Sequence, residues 1–379
     1  MEEPRGRLAV VIVSGGIGSQ LTQYAFGLFC RKALGAEVKY DITWFDTCGK
    51  DCDNKCNCNF MLRRLWPDLD FAVATEEEIA FARAGNLYVN KNSYKFCFDL
   101  FRQKFPMYIG GYHESVAYID AVSDEVLREA DFSKCPLDAA TEAVLAEIRG
   151  AGHSCAVHVR RGDFVSLGLA VLGPDYYSGA IGIVEKMAAG SHVKFFFFSN
   201  DCDYVRDQII PRCRKGLDFR VVDVNSNDTG HCDLQLMSQC TDQISPNSSF
   251  GFWGAYLNAN ANKVVVLPSC WGGIDGRVAR HAAAAHYMPS AVMLDVHGKR
   301  DVAFERAVAA MHSRSVVDRK DWLSILSYAF VTARLSVWDR RFAFAKKRFW
   351  KSFLETVRGL VLMRRCNVCE NNQGGISRE

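Results

Sequence analysis

Short apolar runs, each followed by a polar turn and a helical stretch, constrain the fold of this chain more than any other feature. Residues 8–13 form the first run, and a helical pattern at 20–34 and a second run at 38–41 follow it. The order restarts near residue 151, with an apolar run at 154–159. Strands that alternate with helices in this way build parallel sheets. The sequence therefore predicts an α/β fold with two successive units.

The length of the chain favours two domains with a cleft between them, because a single core rarely grows to 379 residues. Further strands are predicted at 193–198, 219–224 and 264–267. We divide the chain into an α/β domain at 1–150, a second α/β domain at 151–295 and a helical, basic extension at 296–379. Ligands bind parallel sheets at the carboxyl ends of the strands, so polar clusters directly after the strands are the candidate site residues.

Positive charge is concentrated near the C-terminal end. The net charge is only +3, which is too small to indicate a nucleic-acid partner. The segment 334–365, however, carries ten basic and two acidic residues, and its apolar residues recur at helical spacing. An amphipathic helix of this kind suits an anionic membrane surface. The alternative is a helix that packs back across the two domains and exposes its basic face to water.

Two further features bear on location and metal binding. The first apolar run is too short for a signal peptide or a membrane span, and nowhere do about eighteen apolar residues run together. The fifteen cysteines are then expected to be reduced thiols. The cluster Cys48, Cys52, Cys56 and Cys58 lacks the paired CxxC spacing of structural zinc sites. We therefore predict a cytoplasmic protein in which this cluster is a loop with incidental cysteines.

A glycine-rich turn joins the first strand to the first helix. It contains Gly15, Gly16 and Gly18, and Gln20 follows. Free backbone N–H groups and the helix dipole at such a turn favour an anionic or polar ligand. The spacing is not GxGxxG, so it does not support a dinucleotide. The alternative is that the glycines only permit a tight turn.

The sequence His-Val-Arg-Arg-Gly-Asp at 158–163 ends the strand that opens the second unit. Side chains alternate along a strand, so His158 and Arg160 share one face. Arg160 and Arg161 together suit a diphosphate, because a planar guanidinium binds phosphate oxygens in a bidentate manner. The alternative is a surface pair of an arginine with Asp163 that caps a loop.

Polar residues also follow two later strands. Ser199 and Asp201 come after the run of four phenylalanines at 195–198, where they could hold a ribose, a base or a phosphate. An N-cap is the equally favoured interpretation of Asp201. A strand-to-helix junction near residue 247 offers hydroxyls and free N–H groups as a phosphate cradle, or an ordinary serine N-cap. The candidate ligand-binding residues of this last region are Asp233, Asn247, Ser248, Ser249, Phe250 and Trp253.

These motifs together resemble glycosyltransferase family 11, which contains the bacterial and animal α-1,2-fucosyltransferases. The resemblance spans residues 8–271. The family's GGLGNQ, HxRRGD, FSDD and LMSxC…NSSFSWWGAWLN motifs are similar to 15–20, 158–163, 198–201 and 236–258. Ser19, Thr22 and Gly251-Phe252 depart from the usual residues, which bears on acceptor specificity more than on donor chemistry.

The resemblance implies a GT-B-like architecture of two facing Rossmann-like domains. Residues 1–150 would form the acceptor side and 151–295 would bind GDP-β-L-fucose. The implied reaction is inverting transfer of L-fucose to the 2-hydroxyl of a terminal galactose, in oligosaccharide, lipopolysaccharide or glycan synthesis. Arg160 would stabilise the departing GDP in place of a metal ion, and His158 would orient the diphosphate. No metal or other cofactor is expected.

The residue that accepts the proton of the galactose hydroxyl is not identified by the motifs. Asp163 and Glu114 are the candidates. A rival interpretation is a glycosyltransferase with another donor or linkage, and a second is a non-catalytic nucleotide- or glycan-binding protein on the same fold. With a lipid-linked acceptor, the segment 334–365 would hold the protein peripherally at the inner membrane.

Overall fold

The structure is a computed structural model that describes residues 6–50, 57–90, 96–169, 171–271, 283–284, 286–312, 353–354 and 357. Within these ranges the strands are β1 (Leu8–Ile12), β2 (Glu37–Asp41), β3 (Asn86–Val89), β4 (Met107–Gly110), β5 (Ser154–Val159), β6 (Lys194–Ser199), β7 (Asp218–Val222), β8 (Asp242–Ile244), β9 (Val265–Pro268) and β10 (Val292–Leu294). The six strands predicted from the sequence are confirmed, and β5 has the predicted bounds.

The helices surround these strands. They are α1 (Ile17–Leu34), α2 (Trp44–Thr47), α3 (Leu62–Leu65), α4 (Glu76–Gly85), α5 (Val116–Asp120), α6 (Ser123–Glu129), α7 (Ala139–Gly150), α8 (Asp163–Ser166), α9 (Pro174–Met187), α10 (Cys202–Tyr204), α11 (Gly230–Ser238), α12 (Ser249–Tyr256) and α13 (Val302–His312). Short 3₁₀ segments lie at Phe98–Arg102, Phe132–Lys134, Ile210–Arg212 and Asn227–Thr229, and a π-helical turn at Val205–Ile209.

Two parallel sheets are present in the described part of the chain. The first has the strand order β2-β1-β4-β3, and the second has the order β10-β9-β8-β5-β6-β7. Every pair of neighbouring strands is parallel. The predicted GT-B-like α/β fold is thereby confirmed in its two parallel-sheet units. The exact domain boundaries at 150 and 295 stay a prediction.

The central strands are apolar because both of their faces are covered. Residues 8–11 of β1 and the four phenylalanines of β6 are buried. Helix α1 covers the first sheet and ends at Gly35, whose φ of 60° allows the left-handed C-cap.

Helix α12 belongs to the second half of the chain but packs against α1. Trp253 of α12 is fully buried, and its indole Nε1–H donates to the hydroxyl of Thr22 on α1 at 2.9 Å. At the start of α1, a Cβ on Gly18 would lie 2.6 Å from the backbone nitrogen of Phe250. The two helices therefore approach at backbone distance, and they join the two sheets.

Among the described residues, no helix is long and apolar enough to cross a bilayer. The basic segment 334–365 lies outside the described residues except for 353, 354 and 357. The prediction of an amphipathic helix there stays a prediction.

Candidate active site

A cleft of about 550 Å³ lies where the carboxyl ends of the two sheets meet. The turns after β1, β5, β6 and β7 line it, together with residues 57–59 and 61 from the loop before α3. The carboxyl ends of both sheets thus line one cleft. Parallel sheets bind their ligands at this end of the strands.

Arg160 extends from the end of β5 into this cleft. Its Nη2 lies 2.6 Å from Oδ1 of Asp163, and its guanidinium carbon lies 5.4 Å from the centroid of the Phe164 ring. The buried Nε of Arg160 has no hydrogen-bond partner among the described residues. A buried N–H donor without a partner is costly, so this geometry favours an anionic ligand that accepts from it.

Arg161 is directed elsewhere. Its Nε donates to Oδ2 of Asp201 at 2.9 Å, and its guanidinium carbon lies 3.5 Å from the centroid of the Tyr204 ring. Arg161 is not among the residues that line the cleft. The two adjacent arginines therefore do not present their guanidinium groups to the same space.

His158 lines the cleft beside Arg160 and is only 5% exposed. Burial, and after it the charge of Arg160, lower the pKa of His158 to about 3, so the ring is neutral near pH 7. Its Nδ1 has no hydrogen-bond partner in the described part of the chain. A Cβ on Gly251 would lie 2.8 Å from this nitrogen, so glycine at position 251 leaves room for the ring.

The turn after β6 contributes Ser199 to the cleft lining, whereas Asp201 is not part of the lining. Oδ1 of Asp201 accepts from the backbone N–H of Tyr204 at 3.1 Å, as an N-cap of α10. Its other oxygen accepts from Arg161. Of the two interpretations left open by the sequence, the structure shows the N-cap.

Asp233 on α11 also lines the cleft. Its Oδ1 accepts from the amide of Asn225 at 2.7 Å, and the amide oxygen of Asn225 accepts from the hydroxyl of Thr141 at 3.0 Å. Burial raises the pKa of Asp233 to about 7, against the smaller effect of the bond from Asn225. Asp233 is thus an oriented carboxyl group that changes its charge near neutral pH.

The glycine turn divides its residues between the cleft and the protein interior. Gly16 lines the cleft, and a Cβ there would have no neighbour within 4 Å among the described residues. Gly15 has a φ of 76°, which favours glycine. Gln20 is fully buried: its Nε2 donates to the carbonyls of Gly15 and Asn59, and its Oε1 accepts from the N–H of Met61. Gln20 therefore fixes the loop before α3 to the glycine turn.

The residues around α12 also fall into two groups, one that lines the cleft and one that is packed inside the protein. Phe250 lines the cleft, with its ring 5.1 Å from that of His158. Asn247 and Ser248 are buried, and Ser249 is half-buried against Gly18. Ser249 and the buried Trp253 lie in the contact between α1 and α12.

Glu114, the second candidate base, follows β4 and is not among the residues that line the cleft. Burial raises the pKa of its carboxyl to about 7. Its backbone oxygen accepts from the ring of His286 at 2.8 Å. Glu114 therefore lies after the carboxyl end of a strand of the first sheet, outside the cleft lining.

Two parts of the cleft were not predicted from the sequence. Asn59 donates to Oδ1 of Asp228 at 2.7 Å, and this bond joins the loop before α3 to the turn after β7. Residues 225–227 line the cleft beside it. They follow a predicted strand and are polar, so the same rule that identified Ser199 could have found them. No signal in the sequence marked residues 57–61.

In the part of the chain that the structure describes, no three His, Cys, Asp or Glu side chains are grouped to hold a metal ion. Cys48 and Cys58 are described, whereas Cys52 and Cys56 lie outside the described residues. The interpretation of this cluster as a loop without metal stays a prediction.

Comparison with known proteins finds one family whose match includes three of the four motifs, and the glycine turn at 15–20 precedes the match. The model for glycosyl transferase family 11 matches residues 57–273. The O-antigen biosynthesis glycosyltransferase WbnK of Escherichia coli is 26% identical over 291 residues, 68% of this chain and 93% of that protein. An alpha-1,2-colitosyltransferase of Escherichia coli is 26% identical over 284 residues, 70% of this chain and 92% of that protein.

A galactoside 2-alpha-L-fucosyltransferase of Caenorhabditis elegans is 27% identical over 180 residues, 44% of this chain and 47% of that protein. Among solved structures, the fucosyltransferase NodZ from Bradyrhizobium aligns over 66% of this chain and 93% of its own, at 14% identity and a TM-score of 0.38. The family match covers more than half of the chain and confirms the resemblance found in the motifs. The chain belongs to glycosyl transferase family 11.

Proposed function

We propose that this protein transfers L-fucose from GDP-β-L-fucose to the 2-hydroxyl of a terminal galactose, with inversion at the anomeric carbon. Family membership supports a glycosyltransferase. Two relatives support the finer statement, because one is named for transfer in α-1,2 linkage and the other as a galactoside 2-alpha-L-fucosyltransferase.

The position of Arg160 is the observation that carries the proposal. Its guanidinium lies in the cleft at the carboxyl end of β5, with a buried Nε that lacks a partner among the described residues. In the proposed reaction the bond between the anomeric carbon and the diphosphate oxygen breaks, and negative charge grows on the departing GDP. A fixed guanidinium stabilises that charge more in the transition state than in the bound donor. No metal ion is required for this step.

The galactose hydroxyl must lose its proton as its oxygen bonds to the anomeric carbon. Asp163 is the candidate base that lies in the cleft, and its carboxylate is oriented by Arg160 at 2.6 Å. Glu114 is the candidate on the acceptor side. Asp163→Asn and Glu114→Gln, each compared for turnover at saturating donor, distinguish the two.

The decisive experiment incubates GDP-fucose and lactose with the wild-type protein in EDTA, beside Arg160→Ala. We expect a 2′-fucosylated product, identified by mass spectrometry and linkage-specific NMR, that forms without added metal and is lost in the variant. GDP binding without transfer would instead support a non-catalytic protein or another acceptor. Transfer from a different sugar nucleotide in a donor panel would replace fucose as the donor.

The segment 334–365 is proposed to lie on an anionic membrane beside a lipid-linked acceptor, as a peripheral contact at the inner face of the cytoplasmic membrane. Its ten basic residues support this proposal. Liposome flotation of the full chain and of a chain without residues 334–379 tests it. Equal flotation of the two chains would favour a helix that packs on the domains.

A further inference from the structure

Among the described residues, Arg161, the second arginine of the His-Val-Arg-Arg-Gly-Asp turn, is held by three contacts from the turn after β6 and from the short helix α10 that follows it. Its Nε donates to Asp201 at 2.9 Å, its guanidinium carbon lies 3.5 Å from the centroid of the Tyr204 ring, and its backbone N–H donates to Oδ1 of Asn200 at 3.0 Å. None of Arg161, Asp201 and Tyr204 lines the cleft. Arg161 thus connects two neighbouring turns of the second sheet from behind the cleft.

The anchors are themselves fixed. Asp201 donates its N–H to Ser199 and accepts from the N–H of Tyr204, so its carboxylate is oriented independently of Arg161. The Arg161 side chain is 19% exposed. Its guanidinium forms an ion pair with Asp201, and it also stacks on the ring of Tyr204. Rotation into the cleft would break a charge-assisted hydrogen bond and a cation–π contact at once.

The anchored residue directly precedes the bend that returns Asp163 to Arg160. Gly162 has a φ of 39°, and the ion pair between Arg160 and Asp163 closes this bend at 2.6 Å. With the N–H and the side chain of Arg161 held, the peptide bond that follows Arg160 has a fixed position. The guanidinium of Arg160 is then held in the cleft before a ligand arrives, which lowers the cost of binding.

We infer that Arg161 is a positioning residue that acts on the nucleotide diphosphate only through Arg160. The inference rests on the proposed function in one respect, namely that Arg160 binds the diphosphate. It assigns different roles to two chemically identical neighbours. It also makes donor binding depend indirectly on Asp201 and Tyr204, which hold Arg161 in place.

A double-mutant cycle on GDP affinity tests the inference, with calorimetry of the wild type, Arg160→Ala, Arg161→Ala and the double variant. We expect Arg161→Ala to weaken GDP binding about tenfold in the wild type and less than about twofold in the Arg160→Ala background. Effects that multiply would show that Arg161 binds the diphosphate itself and would overturn the inference. So would an Arg161→Ala protein with wild-type affinity.

Asp201→Asn provides a matched second variant. Asparagine keeps the N-cap of α10 and removes the carboxylate that holds Arg161. We expect Asp201→Asn to weaken GDP binding like Arg161→Ala, without further loss when the two are combined. Arg214→Ala, which removes an exposed ion pair with Glu185, is the control and should keep the wild-type affinity.

Thermal unfolding and binding stoichiometry of each variant exclude a merely structural effect, because such an effect lowers the melting temperature but leaves the affinity of the folded protein unchanged. The cycle uses GDP alone. A wild type that binds GDP but does not transfer fucose would therefore refute the proposed reaction while the cycle still decides the role of Arg161.

Discussion

The turn after β1 and the turn after β5 occupy equivalent places in their sheets, but their side chains are used differently. Just after the first turn, Gln20 of α1 is directed inward and its amide binds three backbone groups of the protein. At the second, His158 near the end of β5 and Arg160 after it line the cleft and retain buried nitrogens without partners among the described residues. A conspicuous motif at the end of a strand thus indicates where a cleft lies, and the partners of each side chain show which residues serve the ligand.

The largest effect should come from the second turn, and it should appear in catalysis without a loss of stability. Arg160→Lys keeps the charge but removes the planar, bidentate group. We expect turnover to fall about tenfold to a hundredfold, since removal of one preorganised electrostatic group costs about a hundredfold or more. Initial rates at saturating donor measure it. A melting temperature that fell along with the rate would contradict the contrast between the turns.

The first turn should show the reverse behaviour. Gln20→Ala leaves the carbonyls of Gly15 and Asn59 and the N–H of Met61 without their partner. We expect a loss of about 2–3 kcal/mol in the free energy of unfolding. Chemical denaturation measures this loss. GDP affinity that collapsed while stability stayed unchanged would show that Gln20 binds the ligand instead.

Gly16 in the first turn and Gly18 at the start of α1 sharpen the comparison. Gly18→Ala would place a Cβ against the backbone of Ser249 and Phe250, and we expect it to cost about 2 kcal/mol of stability. The Cβ of Gly16→Ala meets no atom of the described part of the chain within 4 Å, so this substitution should leave stability nearly unchanged. Parallel denaturation of both variants gives the difference. Equal losses would mean that the two helices do not pack as closely as the structure shows.

The smallest effect is a pH dependence of stability that comes from His158, in the strand just before the second turn. Burial lowers the pKa of His158 from its ordinary value of 6.5 to about 3, so the unfolded chain binds a proton there before the folded protein does. Stability from this residue is present above pH 6.5 and is lost as the pH falls toward 3.

At a pH one unit below the ordinary pKa of histidine, the loss in the free energy of unfolding amounts to about 1.4 kcal/mol. His158→Gln should therefore lose less stability than the wild type between pH 6.5 and 5.5. The control is His192→Gln, at a side chain that is 71% exposed. If the free energy of unfolding changed with pH equally in His158→Gln and the wild type, the result would contradict a buried, neutral His158 ring.

The sequence predicted much of the fold because the apolar runs are unambiguous. The strand at 154–159 has the predicted bounds, since every residue in it is buried. The position of the cleft followed from the same strands. The loop at 57–61 was not predictable, because it reaches the cleft through hydrogen bonds of Gln20 to groups 39 and 41 residues away. Side-chain direction was also not predictable from spacing, as Arg161 and Trp253 show.

The contact between α1 and α12 also limits how proteins of this kind can be recombined. The helices come from opposite halves of the chain, and they meet through the Gly18 backbone contact and the bond from Trp253 to Thr22. A hybrid that took residues 1–150 from this protein and the remainder from a relative would combine one helix with an unmatched partner. We therefore expect such hybrids to be less stable than either parent, and an engineered change of specificity to keep more stability when both helices come from the same parent.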